Sequence, residues 1–351
     1  MFDVITFGSA TQDIYLKSKK FRPVSGKNFI TGQGVCLTLG SKIGIEDISF
    51  FSGGGGTNAA ATFAKQGFKV AYCGMIGSDC FGNSIIEELE KLKIDTGFVR
   101  KTDKKPTNLS FFLAYPGEDR TILVYRGASD ILSKKDIPWS KIKNTRWFYL
   151  APFSGQLANL TEDLVNFAKK NKIKVALNPG YNQLTLPPKT LERILSQVDV
   201  LILNKEEASL LAKIPYQKET EIFRKIDKLC PGIAIMTKGK EGVVVSDGKH
   251  LHRAKSLGLK GVDGTGAGDA FGSGFVSGII QKVKEDKSSF PPSASPSANN
   301  ITFAIQLAMA NSSFAITKWG AKEGLLAKNQ KWRKVKVTKE KCRINGFCQE
   351  K

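Results

Sequence analysis

The chain has 351 residues, 41% hydrophobic and 24% charged, with a mean hydropathy of -0.18. Those values describe a folded globular protein with a large core and exclude a disordered or fibrous chain. With 53 Lys and Arg against 32 Asp and Glu, the net charge is +21. The basic residues are scattered, densest in the stretch Lys328–Lys351, and no stripe interleaves them with aromatics, so neither a specific nucleic-acid partner nor a membrane partner is expected. No run of eighteen apolar residues occurs, and Met1–Gly8 lacks the regions of a signal peptide, so the expected location is the cytoplasm. The six cysteines form no C-x-x-C pair, which argues against a zinc site and favours free thiols; Cys342 and Cys348 lie six apart. The two histidines, His250 and His252, follow the turn-like Asp247-Gly248-Lys249, are expected at exposed strand positions, and leave no basis for histidine catalysis.

In chain order, Val4–Phe7 reads as a strand, Thr57–Gln66 as a helix, Lys69–Gly74 as a strand and Ile85–Leu92 as a helix. The short apolar runs Trp147–Leu150, Lys174–Leu177 and Val200–Leu203 read as buried strands, separated by the helical patterns Leu160–Lys170 and Leu191–Ser196. Ile233–Thr237 and Gly242–Ser246 continue as strands, and Asp269–Ile280 and Ile301–Phe314 close the pattern as small-residue-rich helices. Such alternation predicts an α/β fold with a mostly parallel sheet covered on both faces. Residues 14–50 and 107–127 break it: Leu109–Tyr115 and Thr121–Tyr125 flank the turn Pro116–Asp119 as a hairpin, and the two stretches are expected to form a small antiparallel sheet, a lid beside the body. The Pro/Ser-rich residues 285–300 are expected to be a mobile loop.

Two segments carry the chemistry. In Val262-Asp263-Gly264-Thr265-Gly266-Ala267-Gly268-Asp269, glycines open a helix, so backbone N–H groups and the helix dipole converge on an anion. Asp269 then stands where it could take a proton from an attacking hydroxyl; taken alone, it also reads as an N-cap. Ser52-Gly53-Gly54-Gly55-Gly56-Thr57-Asn58 opens another helix and lacks the Gly-Lys-Ser/Thr ending of a P-loop. Its glycines allow a ligand close to the backbone and Asn58 can both donate and accept, while tight helix–strand packing explains the same glycines.

Together these segments resemble the ribokinase, or PfkB, family of carbohydrate and nucleoside kinases. Gly53–Ala61, continuing to Gly74–Gly82, looks like its first signature, and Asp263–Asp269 looks like its second, usually Asp-Thr-Thr-Gly-Ala-Gly-Asp, with Gly264 departing at the second position. The resemblance spans residues 3 to about 327. It implies a three-layer α/β/α body over residues 1–327 with a β lid, followed by a basic tail over residues 328–351.

The implied reaction is transfer of the γ-phosphoryl group of ATP to a sugar hydroxyl, with Asp269 as general base and Gly266, Ala267, Gly268 and Asp269 as the anion hole. Asp13, Gly54, Gly55 and Asn58 would bind substrate. Asn204, Thr237, Gly239, Gly242, Thr265 and Asn311 would join Gly266 and Gly268 around the nucleotide. Asn204 and Glu207, in an Asn-x-x-Glu pattern that also reads as a helix capping box, would hold Mg2+ through water. Asp263, and in some members the region of Gly320-Ala321, is the candidate for a monovalent cation such as K+. Arg126, leaving the second lid strand, is the candidate for an anionic acceptor, or a solvent-facing residue. Phe111, Phe112 and Tyr115 are candidates for an aromatic wall that a nucleoside would need. A homodimer through the lid is expected in parallel with some relatives. The alternatives are a nucleoside kinase and a non-catalytic ligand-binding protein of the same fold.

Overall fold

Consecutive residues of the central strands divide between two cores. Ile5, Phe7, Phe148, Leu150, Leu201 and Leu203 pack into one apolar cluster, whereas Val4, Tyr149, Val200 and Ile202 pack into another. Period-two alternation with both faces buried requires a sheet sandwiched between helices, which is why these strands read as continuous apolar runs. A computed structural model describes residues 1–29, 32–115, 120–285 and 297–341. The expected turn Pro116–Asp119, most of the loop 285–300, and Cys342 and Cys348 lie outside the described residues.

Among the described residues the sheet has ten strands. Seven run parallel, in the spatial order Asp95–Thr102, Val70–Gly77, Phe2–Phe7, Thr145–Leu150, Lys174–Leu177, Val200–Asn204 and Ile233–Thr237. Val243–Ser246, His250–Ala254 and Val337–Lys341 continue it antiparallel. The last of these falls within the stretch expected to be only a basic tail. His252, expected to be exposed, is fully buried, with Nε2 3.4 Å from Asp247 Oδ2. The covering helix Leu160–Lys170 has a polar outer face and dipole-matched ends, beginning with Glu162 and Asp163 and finishing with Lys169 and Lys170. No helix among the described residues is long and apolar enough to cross a membrane.

A second sheet of four strands stands apart, in the order Asp47–Gly53, Thr11–Lys17, Asn108–Ala114 and Arg120–Tyr125. Its central pair is parallel and the outer pairs are antiparallel, so it is a mixed sheet rather than the antiparallel one expected. The crossover from Lys17 to Asn108 passes through the main sheet, and only a long connection can bring two strands into parallel register. Among the described residues of 18–46, the strands are the three-residue Pro23–Ser25 and Gln33–Val35.

The helices Ala267–Glu285 and Ala298–Ala315 pack closely: a Cβ on Gly278 would lie 2.6 Å from Ala304 Cα. This pair fixes the Gly-rich loop before Ala267 against the carboxyl ends of the parallel strands, where ligands bind in open α/β sheets.

Candidate active site

Two helix N-termini meet at the site. The helix Gly55–Lys65 starts at Gly54, whose φ of 95° and whose missing Cβ, 2.5 Å from Ser9 O, restrict the position to glycine. The helix Ala267–Glu285 follows Gly266, at φ 74°, where a Cβ would lie 2.5 Å from Ala321 Cβ. First-turn N–H groups such as those of Gly268 and Asp269 have no acceptor in their own helix. That of Ala267 makes a 3.3 Å contact to Gly264 O. The space around a Cβ on Gly268 is open.

Asn58 Nδ2 donates to Asp269 Oδ2 at 2.9 Å, joining the two segments. Asn58 is 4% exposed, and its Oδ1 is buried with no hydrogen-bond partner. An unsatisfied buried acceptor is costly, and this oxygen is free to accept from a hydroxyl. Burial raises the Asp269 carboxyl above the usual carboxylate range, opposed by Asn58 and by the charge of Lys322. Asp13, 4% exposed on the lid strand Thr11–Lys17, is pushed up to about 7 by burial, against a hydrogen bond from Ser110 and the Lys322 charge. Gly53 leaves room for it: a Cβ there would fall 2.1 Å from Asp13 Oδ2.

Lys322 completes this acidic corner and carries no motif of its own. It is 3% exposed, its Nζ lies 3.4 Å from Glu88 Oε1 and donates to Ser52 Oγ, and burial lowers its pKa.

On the other side of Asp269, a 200 Å3 cavity is lined by Asn178, Asn204, Glu207, Thr237 and the Gly264–Asp269 turn. Asn178, at the end of Lys174–Leu177, is a site residue that sequence reasoning missed; only the end of a buried strand marks it. Asn204 and Glu207 form the expected capping box, with Asn204 N to Glu207 Oε2 and Glu207 N to Asn204 Oδ1 both at 2.8 Å. Burial raises the Glu207 pKa. These oxygen donors beside an anion cradle fit a hydrated Mg2+. Gly239 and Gly242 shape the turn after Thr237; a Cβ on Gly242 would lie 1.9 Å from Ala254 O. Beyond that turn a 540 Å3 cavity is lined by Val243, Ala254, Leu257 and Val335 and rimmed by lysines and arginines.

The sequence model described as pfkB family carbohydrate kinase matches residues 1–328. The chain belongs to this family. It is therefore a phosphotransferase acting on an alcohol group. It is similar to a ribokinase of Lactococcus lactis subsp. lactis, 28% identical over 308 residues that cover 86% of this chain and 90% of the relative. It is also similar to an ATP-dependent 6-phosphofructokinase of Thermoanaerobacterium thermosaccharolyticum, 26% identical over 68% of this chain and 75% of the relative. Among solved structures, the Arabidopsis thaliana ribokinase complexed with ribose and ATP superposes with a TM-score of 0.72 at 20% identity, covering 93% of this chain and 96% of that one. That likeness shows the ribokinase-like fold.

Four candidates of the PfkB-type site lie differently from the rest. Arg126 is exposed, just past the end of the lid strand Arg120–Tyr125. Asn311 is fully buried: its Nδ2 donates to Ala270 O at 2.8 Å and its Oδ1 accepts from Leu326 N at 2.9 Å, so its amide braces the two long helices rather than facing a ligand. Asp263 is 2% exposed and its carboxylate is saturated by donors of the chain itself, Arg120 among them, which does not fit a bound monovalent cation. Phe112 is sealed in the lid, stacked on Tyr15 at 4.1 Å, which removes it from any aromatic wall; Phe111 and Tyr115 are half-buried.

Proposed function

We propose that this PfkB kinase transfers the γ-phosphoryl group of ATP to a hydroxyl of a neutral sugar. The observation that carries the reading is the Asn58–Asp269 pair, with its free acceptor on one side and the Gly264–Asp269 turn on the other. A sugar hydroxyl donating to Asn58 Oδ1 is placed beside Asp269. Asp269 accepts the proton of the hydroxyl that attacks phosphorus, ADP leaves, and the first-turn N–H groups stabilise charge on the group in transit. Asp13 accepts from further hydroxyls and orients the ring. Asn204 and Glu207 would hold Mg2+, which neutralises phosphate charge when bound. Thr237, Gly239 and Gly242 direct the base of the nucleotide to the apolar cavity beyond them.

The acceptor is neutral because Asp13 and Asp269 line its side, and the cations nearby are already engaged: Lys322 by Glu88 and Ser52, Arg120 by Asp263. The lid sheet would close over the sugar and exclude water. Its outer face exposes Ile48, Phe50 and Leu123, which supports a second copy of the chain as partner.

A coupled ADP-release assay with Mg-ATP across ribose, deoxyribose, fructose, fructose phosphate, 2-keto-3-deoxygluconate, adenosine and cytidine tests the reading. A neutral sugar is expected to give the highest kcat/KM. A preference for an anionic acceptor overturns the neutral-sugar reading, and preference for adenosine or cytidine makes it a nucleoside kinase.

A further inference from the structure

Asp263 precedes the anion-hole turn and is the residue that, by resemblance, would ligate a monovalent cation. In this chain five donors surround it. Oδ1 accepts from Thr265 N at 3.0 Å, Thr265 Oγ1 at 2.7 Å and Arg120 Nη2 at 3.0 Å. Oδ2 accepts from Tyr15 Oη at 2.5 Å and Gly320 N at 3.4 Å. A carboxylate offers about four lone-pair positions, so none remains for an ion. One donor is a guanidinium, with the same unit charge that a monovalent ion would bring.

Arg120 also donates to Thr265 Oγ1 at 3.0 Å, which ties it to the turn as well as to the carboxylate. The departure at Gly264 suits this arrangement. A Cβ there would lie 3.8 Å from Arg120 Nη2, in van der Waals contact with the guanidinium. Arg120 and Tyr15 both come from lid strands, so two lid residues converge on one buried carboxylate of the body. Tyr15 is itself fixed by stacking on Phe112 and edge contacts with Phe51 and Trp319.

We propose that the Arg120 guanidinium is a built-in cation that replaces a monovalent metal ion at Asp263 and fastens the lid to the anion-hole turn. Arg120 is a positioning residue, acting on the transferred group through Asp263, Thr265 and Gly266. The protein's stability, and the turnover assigned above, are then indifferent to which monovalent cation is present. The turnover arm rests on the kinase reading; the stability arm does not.

The test compares potassium chloride with choline chloride at equal ionic strength for the full-length protein and its Arg120→Ala and Arg120→Lys variants. Without substrate, the wild type is expected to melt at the same temperature in both salts, while Arg120→Ala melts lower in choline and recovers specifically in potassium. With Mg-ATP and the best sugar, wild-type turnover is expected to be the same in both salts, and Arg120→Ala to lose about 10²-fold in choline, as a displaced catalytic turn would. Arg120→Lys, keeping the charge, restores most of that loss. A potassium-specific rise in wild-type melting temperature or turnover overturns the proposal. So does an Arg120→Ala variant that matches the wild type in both salts. If no acceptor is turned over, the melting comparison still decides the matter, which separates failure of this proposal from failure of the kinase reading.

Discussion

Asp13→Asn isolates the consequence of burying a carboxyl in the sugar site. The folded protein holds the Asp13 proton up to about pH 7, whereas a free carboxyl of this kind loses it near 3.8. A folded pKa raised above the unfolded one means that the folded state binds more proton between those values. Stability from this group is therefore greatest below pH 4, declines as pH rises from 4 to 7, and stays low above 7. The difference of about three pH units, at about 1.4 kcal/mol each, sets the cost of ionised Asp13 at about 4 kcal/mol in the alkaline protein. Asparagine has the same shape, can still accept the Ser110 hydrogen bond, and carries no charge to desolvate. The assay is thermal unfolding of both proteins at pH 4.5 and 8.5 without ligand. The variant is expected to melt several degrees above the wild type at pH 8.5 and only a degree or two above it at pH 4.5, where ionised Asp13 costs about 1 kcal/mol. The shift per kcal/mol is somewhat less than the usual ~2–4 °C of smaller domains. An equal difference at the two pH values would refute the reasoning, because Asp13 would then be ionised throughout. The same variant is expected to lose kcat/KM for the sugar, consistent with site residues selected for binding rather than stability.

Further outcomes follow from the same geometry. Asp269→Asn keeps the Asn58 contact but removes the base, so turnover should fall about 10²–10⁴-fold while ATP affinity by calorimetry is unchanged; wild-type turnover would refute the assignment. Gly266→Ala forces a side chain onto Ala321 at a φ of 74° and should cost about 2–5 kcal/mol by denaturant unfolding, with activity lost. For the wild type, kcat/KM should decline below about pH 7 as Asp13 takes up a proton, and in Asp13→Asn that part of the pH profile should be lost, leaving only the decline set by the base Asp269. If the lids pair as proposed, Leu123→Glu on the exposed outer face should weaken that association in sedimentation without unfolding the protein.

The parts of the fold that are legible in the sequence are those where one physical demand dominates. Strands buried on both faces must be apolar throughout, so Lys174–Leu177 and Ile233–Thr237 are read with their observed limits, as is the amphipathic helix Leu160–Lys170. Val337–Lys341 is an edge strand with four exposed residues, so its pairing with His250–Ala254 leaves no apolar pattern to read. The exposed Asp95–Thr102 edge and the weakly apolar helices Lys205–Ala212 and Glu219–Leu229 escape for the same reason. In the site, Asp269, Asn58 and Gly266 stand in contiguous glycine-rich segments whose backbone demands are local. Tyr15, Arg120 and Lys322 are ordinary residues until the chain folds: Tyr15 and Asp263 are 248 positions apart. Arg120 and Arg126 share a strand face by parity, yet six residues separate them by about 20 Å, and only the sheet register decides which one reaches Asp263.

Following the phosphoryl group itself tests the central claim most directly. With ATP carrying heavy oxygen in its γ-phosphoryl group, the preferred neutral sugar and Mg2+, mass spectrometry should show the label on a sugar monophosphate in stoichiometric amount with ADP, and Asp269→Asn should form almost none. Label appearing only as inorganic phosphate, or equal sugar phosphate formation by Asp269→Asn, would contradict a sugar kinase that works through Asp269.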